Sequence, residues 1–302
     1  MRNILVTGSH RSGTTWTGNM ISLSKEVHYI NEIFNPWRDP GRCQIDFDKW
    51  FTYLPLGTTE PYLSALQETI IEHRYHLLRG LMSVKTLGEL KARFLEFSRN
   101  LVAAQKPDLR SLLKDPIALF SAEWLADSFN MDVVVMIRHP AYFVSSLLKN
   151  QYNFPFEDLL SQDNLMEDYL ADFSTEIQQA PTNPLDQAIL LWRIFYHVVW
   201  IYQGKFPSWL YVRYEDLATD PLNGFKRIYR ELNLDWNPEL AREISSFSSP
   251  DNPVETRESM DIRRNSREMI QQWKNRLTKY TIQKIKEETA DVWPGYYQES
   301  DW

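Results

Sequence analysis

A short run near the amino terminus, Gly8-Ser9-His10-Arg11-Ser12-Gly13-Thr14-Thr15-Trp16, has the residue types and spacing to grip a phosphate. Two glycines bracket four residues, as in loops whose backbone N–H groups point at phosphate oxygens while the following helix adds the positive end of its dipole. Loops that serve magnesium-ATP place Lys directly after the second glycine to reach the terminal phosphates. Thr14 stands there instead, and Arg11 is the fixed cation of the loop. That combination argues against ordinary phosphoryl transfer, while a bare tight turn between strand and helix is the simpler alternative.

Other residues bring charge to comparable places. Glu32 in Asn31-Glu32-Ile33 and the pair Lys114-Asp115 before Pro116 each follow a short apolar run. A carboxylate there is a candidate general base. The competing readings are a helix cap or surface residue for Glu32 and a buried Lys114–Asp115 salt bridge. Arg138 follows the apolar run Met131–Ile137, where a nucleotide kinase or GTPase offers an Asp for magnesium. Ser146 comes eight positions later, two turns into the next helix. A guanidinium in such a place meets a phosphate bidentately, or else satisfies helix carbonyls.

These residues need elements to position them. The pattern predicts a strand from Asn3 into the loop, a helix from about Thr14 to Lys25, and a strand at Val27–Glu32 lying beside the first. Two helices are expected at roughly Glu60–Leu81 and Leu87–Gln105. Further strands follow at Ser111–Lys114, Met131–Ile137 and Trp209–Tyr214, with helices at Pro140–Asn150, Ala188–Lys205 and Leu222–Leu232. Pro140 suits a first helical position, and Thr219-Asp220-Pro221 makes a sound helix start. Strands alternating with helices imply a three-layer α/β/α fold around a central, mainly parallel sheet, with ligands at the carboxyl ends of the strands. Residues 37–110 carry no chemical motif and read as an acceptor-binding insertion. Its aromatics Trp37, Trp50, Phe51 and Tyr53 either stack on a ligand or pack the core.

Arg11-Ser12-Gly13-Thr14-Thr15-Trp16 resembles the 5′-phosphosulfate loop of the sulfotransferases that use 3′-phosphoadenosine-5′-phosphosulfate (PAPS). Tyr214-Glu215-Asp216-Leu217 with Asp220-Pro221, and Gln272-Trp273-Lys274-Asn275 with Thr278, resemble two further segments of that family, in the style of its bacterial and carbohydrate-type members. The resemblance spans about half the chain. It implies that Arg11, Ser12, Gly13, Thr14 and Thr15 hold the 5′-phosphate and sulfonate side, that Trp16 lies against the adenine, and that Tyr214 sits near it. It implies also that Arg138 and Ser146 hold the 3′-phosphate and that no metal is needed. Cytosolic members end the strand at 111–114 in Lys-Thr-His, whose His is the base; this chain has Lys114-Asp115-Pro116. Carbohydrate and protein-tyrosine members place a Glu one helix and one strand after the loop, which makes Glu32 the expected base, with Asp115 as rival and Lys114 as a further catalytic candidate. The family's flexible Arg-Lys-Gly clamp aligns with Ser266-Arg267-Glu268, so only Arg267 keeps the charge, within a basic stretch that includes Arg257, Arg263 and Arg264.

Composition bounds the rest. The chain has 302 residues, 43% hydrophobic, with 11 Trp, 15 Tyr and 15 Phe, enough for one large domain over 1–302. Its lone cysteine, Cys43, permits no internal disulfide, and the first strand starts within a few residues of Met1, so a cytoplasmic protein without a leader is expected. The apolar run Ala188–Tyr202 is interrupted by Arg193 and His197 and falls short of the ~20 residues a membrane span needs. Net charge is −7, and no Lys or Arg occurs from Gln151 to Trp192, so the segment at about 151–186 reads as an acidic helical face. That sign disfavours nucleic acid and long polyanionic sugars as partners. The expected activity is sulfonate transfer to a hydroxyl or amine of a carbohydrate, glycolipid or small molecule. The other classes are a nucleotide kinase and a non-catalytic nucleotide-binding module.

Overall fold

The computed structural model describes residues 1–106, 108–249, 251–253, 263 and 265–302; Arg257 and Arg264 of the basic stretch lie outside them. Strands β1 (Asn3–Gly8), β2 (Val27–Asn31), β3 (Arg110–Lys114), β4 (Met131–Ile137) and β5 (Leu210–Arg213) form one sheet in the order β2-β3-β1-β4-β5. All four pairings are parallel. The α/β architecture expected from the alternation of elements is therefore present.

Alternate residues of each strand feed two separate cores, as the period of two in a strand requires. Leu5, Leu113, Val133 and Val135 face one layer, and Ile4, Val6, Leu112, Val134 and Met136 the other. Both faces are covered, so β4 is a nearly continuous apolar run and β3 is buried along its whole length.

Helix α1 (Thr14–Ile21) belongs to the second layer; α2 (Tyr62–Ile70), α3 (Leu77–Met82) and α4 (Leu87–Ala104) follow β2. Ala65, Leu66 and Ile70 of α2 join the first core, together with Trp124 and Leu125 of α5 (Ala122–Ser128). Helix α6 (Pro140–Lys149) contributes to both cores. Short helices α7 (Glu157–Leu160), α8 (Asp163–Asp168) and α9 (Ser174–Gln178) lead to α10 (Pro184–Lys205), whose apolar residues fill the first core. Helices α11 (Tyr214–Thr219), α12 (Pro221–Glu231), α13 (Pro238–Phe247) and α14 (Ser266–Arg276) build the second layer, and α15 (Lys279–Glu288) completes the chain's helices among the described residues. None of the described helices is long and apolar enough to cross a membrane.

Four expectations are corrected. β2 does not lie beside β1: β3 sits between them. Every residue of β3 is buried, which needs a neighbour on each side, whereas β2 is half-exposed and suits the sheet edge. The helix expected over Glu60–Leu81 is two helices, separated where His73 takes a left-handed φ of 52°. The acidic segment is a series of single turns pinned by Leu159, Leu165, Phe173 and Ile177 rather than one solvated helix. α1 also stops at Ile21, short of Lys25.

Candidate active site

Each of the five strands delivers a candidate residue to the same carboxyl edge: the phosphate loop from β1, Glu32 from β2, Lys114 and Asp115 from β3, Arg138 from β4 and Tyr214 from β5. β1 passes its neighbours in opposite directions, to β3 on one side and β4 on the other, and such a switch point opens the crevice where α/β sheets bind ligands.

The loop is shaped by its two glycines. Gly8 has φ +139°, and a Cβ there would lie 2.5 Å from the Met136 carbonyl oxygen. Gly13 has φ +100°, and its Cβ would lie 2.5 Å from the Tyr214 ring. Between them Ser12 closes the turn, its N–H and hydroxyl both donating to the Ser9 carbonyl at 3.2 and 2.6 Å. No side chain caps α1, so the first N–H groups of that helix, from Thr14 onward, are presented to an acceptor outside it. Thr14 is buried and Thr15 exposed at this end.

Arg11 is exposed and left-handed (φ 66°), and its Nε donates to Ser146 Oγ at 2.9 Å. The structure thus joins Ser146 to Arg11. Arg138 is fully buried, its guanidinium clamped between the rings of Tyr142 (3.3 Å) and Tyr214 (3.5 Å) and its Nε 3.3 Å from Glu215. Burial opposes its charge, but Tyr142 and Glu215 outweigh that and keep its pKa high. Glu215 is held in turn by the His139 N–H and the Tyr297 hydroxyl. Nη2 of Arg138 has no hydrogen-bond partner among the described residues.

The acid–base candidates meet where β2 and β3 end. Asn31 pairs with Lys114 across the sheet, and the Glu32 N–H donates to the Lys114 carbonyl at 2.9 Å before the chain turns away. The buried Lys114 ammonium pairs with Glu32 Oε1, and Asn35 donates to Oε2 at 2.9 Å. Burial raises the Glu32 pKa, yet the Lys114 charge and the hydrogen bonds of Lys114 and Asn35 prevail and leave it lowered. Lys114 therefore bridges to Glu32 and not to Asp115. Asp115 is fully buried, its two oxygens accepting from the Phe34 N–H (2.8 Å) and Ile117 N–H (3.0 Å). Burial, reinforced by the Glu32 charge, pushes its pKa up to about 7.

The remaining expected residues are placed less centrally. Trp16 is 9% exposed, its ring packed on Tyr214 (5.4 Å) and Phe225 (5.1 Å), so little of it is left for a base. Tyr214 is buried, touching Gly13, Trp16 and Arg138 together; burial raises its pKa to about 12. Arg267, the second residue of α14, is on the surface and its Nε donates to the Thr219 carbonyl at 3.0 Å.

Sequence reading gave no role to His10, Asn35 or Glu215. His10 lies between Phe51, Phe143, Tyr152 and Phe195, and neither ring nitrogen has a partner among the described residues. Burial, then the Arg11 charge, lowers its pKa to about 3, so it is neutral. Its place inside the glycine-bracketed loop was the available signal. For Glu215 it was the Tyr-Glu-Asp string itself.

A family profile described as "Sulfotransferase family" matches residues 3–238. Among solved structures, the sulfotransferase domain from the curacin biosynthetic pathway superposes with a TM-score of 0.50 at 13% identity, covering 96% of this chain and 98% of that one. The sulfotransferase domain from the Synechococcus PCC 7002 olefin synthase gives 0.50 at 16% identity, covering 96% of each. At such identities the likeness speaks to fold alone. No curated protein matches the sequence. Since the profile runs from β1 to the first residue of α13, and so takes in every strand end gathered at this edge, the chain belongs to the sulfotransferase family.

Proposed function

We propose that this chain moves a sulfonate group from PAPS to a hydroxyl or amine of a carbohydrate, glycolipid or small-molecule acceptor, with Glu32 as the general base. The observation that carries this reading is the Lys114–Glu32 ion pair at the sheet edge shared with the phosphate loop. The residues suit the donor. Arg11, Ser12, Gly13, Thr14 and Thr15 with the uncapped start of α1 would take its 5′ end, and the unsatisfied Nη2 of Arg138, with Ser146, its 3′-phosphate. A buried donor without a partner costs about 1–3 kcal/mol, which an anionic ligand would recover. Trp16 and Tyr214 would border the adenine, and Arg267 is the residue left for an outer clamp.

When bound, PAPS supplies an electrophilic sulfur on a phosphate leaving group. The acceptor O–H bond breaks as its proton passes to Glu32, an O–S bond forms, and the electron pair of the broken S–O bond leaves with the 5′-phosphate. Glu32 is ionised at neutral pH because Lys114 and Asn35 hold it so, and a positioned base contributes about 10²–10⁴-fold. Arg11 meets charge growing on the leaving phosphate.

Thermal unfolding with adenosine 3′,5′-bisphosphate, without magnesium, tests the donor. At one hundred times its Kd the ligand should stabilise the fold by ~2.7 kcal/mol. Radiolabelled donor then reports transfer to a panel of sugars, glycolipids, phenols and amines. Stabilisation by magnesium-ATP alone would replace this reading with a kinase, and binding without any transfer would leave a nucleotide-binding module.

A further inference from the structure

A groove of about 500 Å³ opens between the segment after β2 and the acidic stretch after α6, with Trp37, Trp50, Tyr152 and Glu157 among its lining. Its rings stand as walls. Trp37 and Trp50 meet at 86° with centroids 5.1 Å apart, and Trp50 and Tyr152 at 84° and 6.3 Å. Trp37 is 79% exposed, so core packing does not account for it.

Two of its wall residues touch neighbours of the candidate active site. The Trp37 N–H donates to Asn35 Oδ1 at 2.9 Å, and the same Asn35 amide donates to Glu32. At the other end the Tyr152 ring lies 5.0 Å from His10, the neighbour of Arg11 in the loop. A molecule seated among these rings is thus linked to the base through Trp37 and Asn35, and to the phosphate loop through Tyr152 and His10.

The charge of the lining selects what sits there. Glu157 is its one carboxylate, exposed and without an ion pair among the described residues, and neither Lys nor Arg lines the groove. The negative π face of an exposed ring such as Trp37 attracts a compact cation, and a carboxylate at the rim supplies the counter-charge. An anionic acceptor would meet Glu157 with nothing to offset it.

We infer that this groove is the acceptor site and that it takes an alcohol bearing an ammonium group. The inference rests on the sulfotransferase reading above, deepening it to a substrate class. The probe is choline, compared with 3,3-dimethylbutan-1-ol, which has the same shape without the charge. Binding is read by tryptophan fluorescence and calorimetry on the whole chain without donor. Choline should bind about tenfold or more tightly than the neutral isostere, and Glu157→Gln and Trp37→Ala should each remove most of that preference. Stabilisation by adenosine 3′,5′-bisphosphate in the same preparations shows that the variants are folded. Equal affinity for the two probes, or a preference that survives both substitutions, overturns the inference. Because choline binding needs no donor, its failure beside a normal nucleotide response sinks the acceptor class alone, whereas choline binding without nucleotide response sinks the donor reading and leaves the cation site standing.

Discussion

Glu32 and Asp115 are carboxylates at neighbouring strand ends whose titrations are pushed apart. Lys114 and Asn35 hold Glu32 below its ordinary 4.5, while burial lifts Asp115 to about 7. A base works when deprotonated, so with Glu32 in that role kcat/KM stays level as pH falls from 8 to 5; an acid limb centred near 7 would transfer the role to Asp115. Glu32→Gln keeps the shape and removes the basicity, and should lower turnover by about 10²–10⁴-fold with nucleotide affinity unchanged. Asp115→Asn should act on stability instead. Its amide must turn an N–H₂ toward either Phe34 or Ile117, leaving a buried N–H unmet at a cost of about 1–3 kcal/mol, measured as a lower Tm. Arg11→Ala removes the fixed cation of the loop and should reduce turnover by ~10²–10³-fold; a loss of only a few-fold would refute its place beside the leaving phosphate.

At the scale of elements, the joint between β1 and α1 depends on what packs against it. Gly13→Ala drives a methyl into Tyr214, whose ring also covers Arg138, so one added carbon disturbs both ends of the proposed donor site. Overpacking of this kind costs about 1–3 kcal/mol, and nucleotide-induced stabilisation should fall with it. β4 and α6 were legible because an unbroken apolar run and a proline at the first helical turn are local signals. Strand order was not. Nothing local in Val27–Asn31 tells whether it pairs with β1 or β3, and the partner of Lys114 depended on that choice. Likewise Glu32, Arg11 and Arg138 could be chosen from type and position, but the Arg11–Ser146 bond and the Arg138–Glu215 pair arise from tertiary packing across α6 and α11.

At the scale of the molecule, the order β2-β3-β1 has a consequence in time. Glu32 and Lys114 are 82 residues apart, and β2 has its ladder with β3 alone. A fragment ending at residue 105 therefore contains both β1 and β2 with no strand to join them, and it should show no cooperative thermal transition where the whole chain does. During synthesis at ~5–20 residues per second, β2 waits roughly 4 to 16 s after emergence before β3 follows it out of the ribosome. For that interval the nascent polypeptide carries a phosphate loop and two unpaired strands, and chaperone occupancy should be concentrated there.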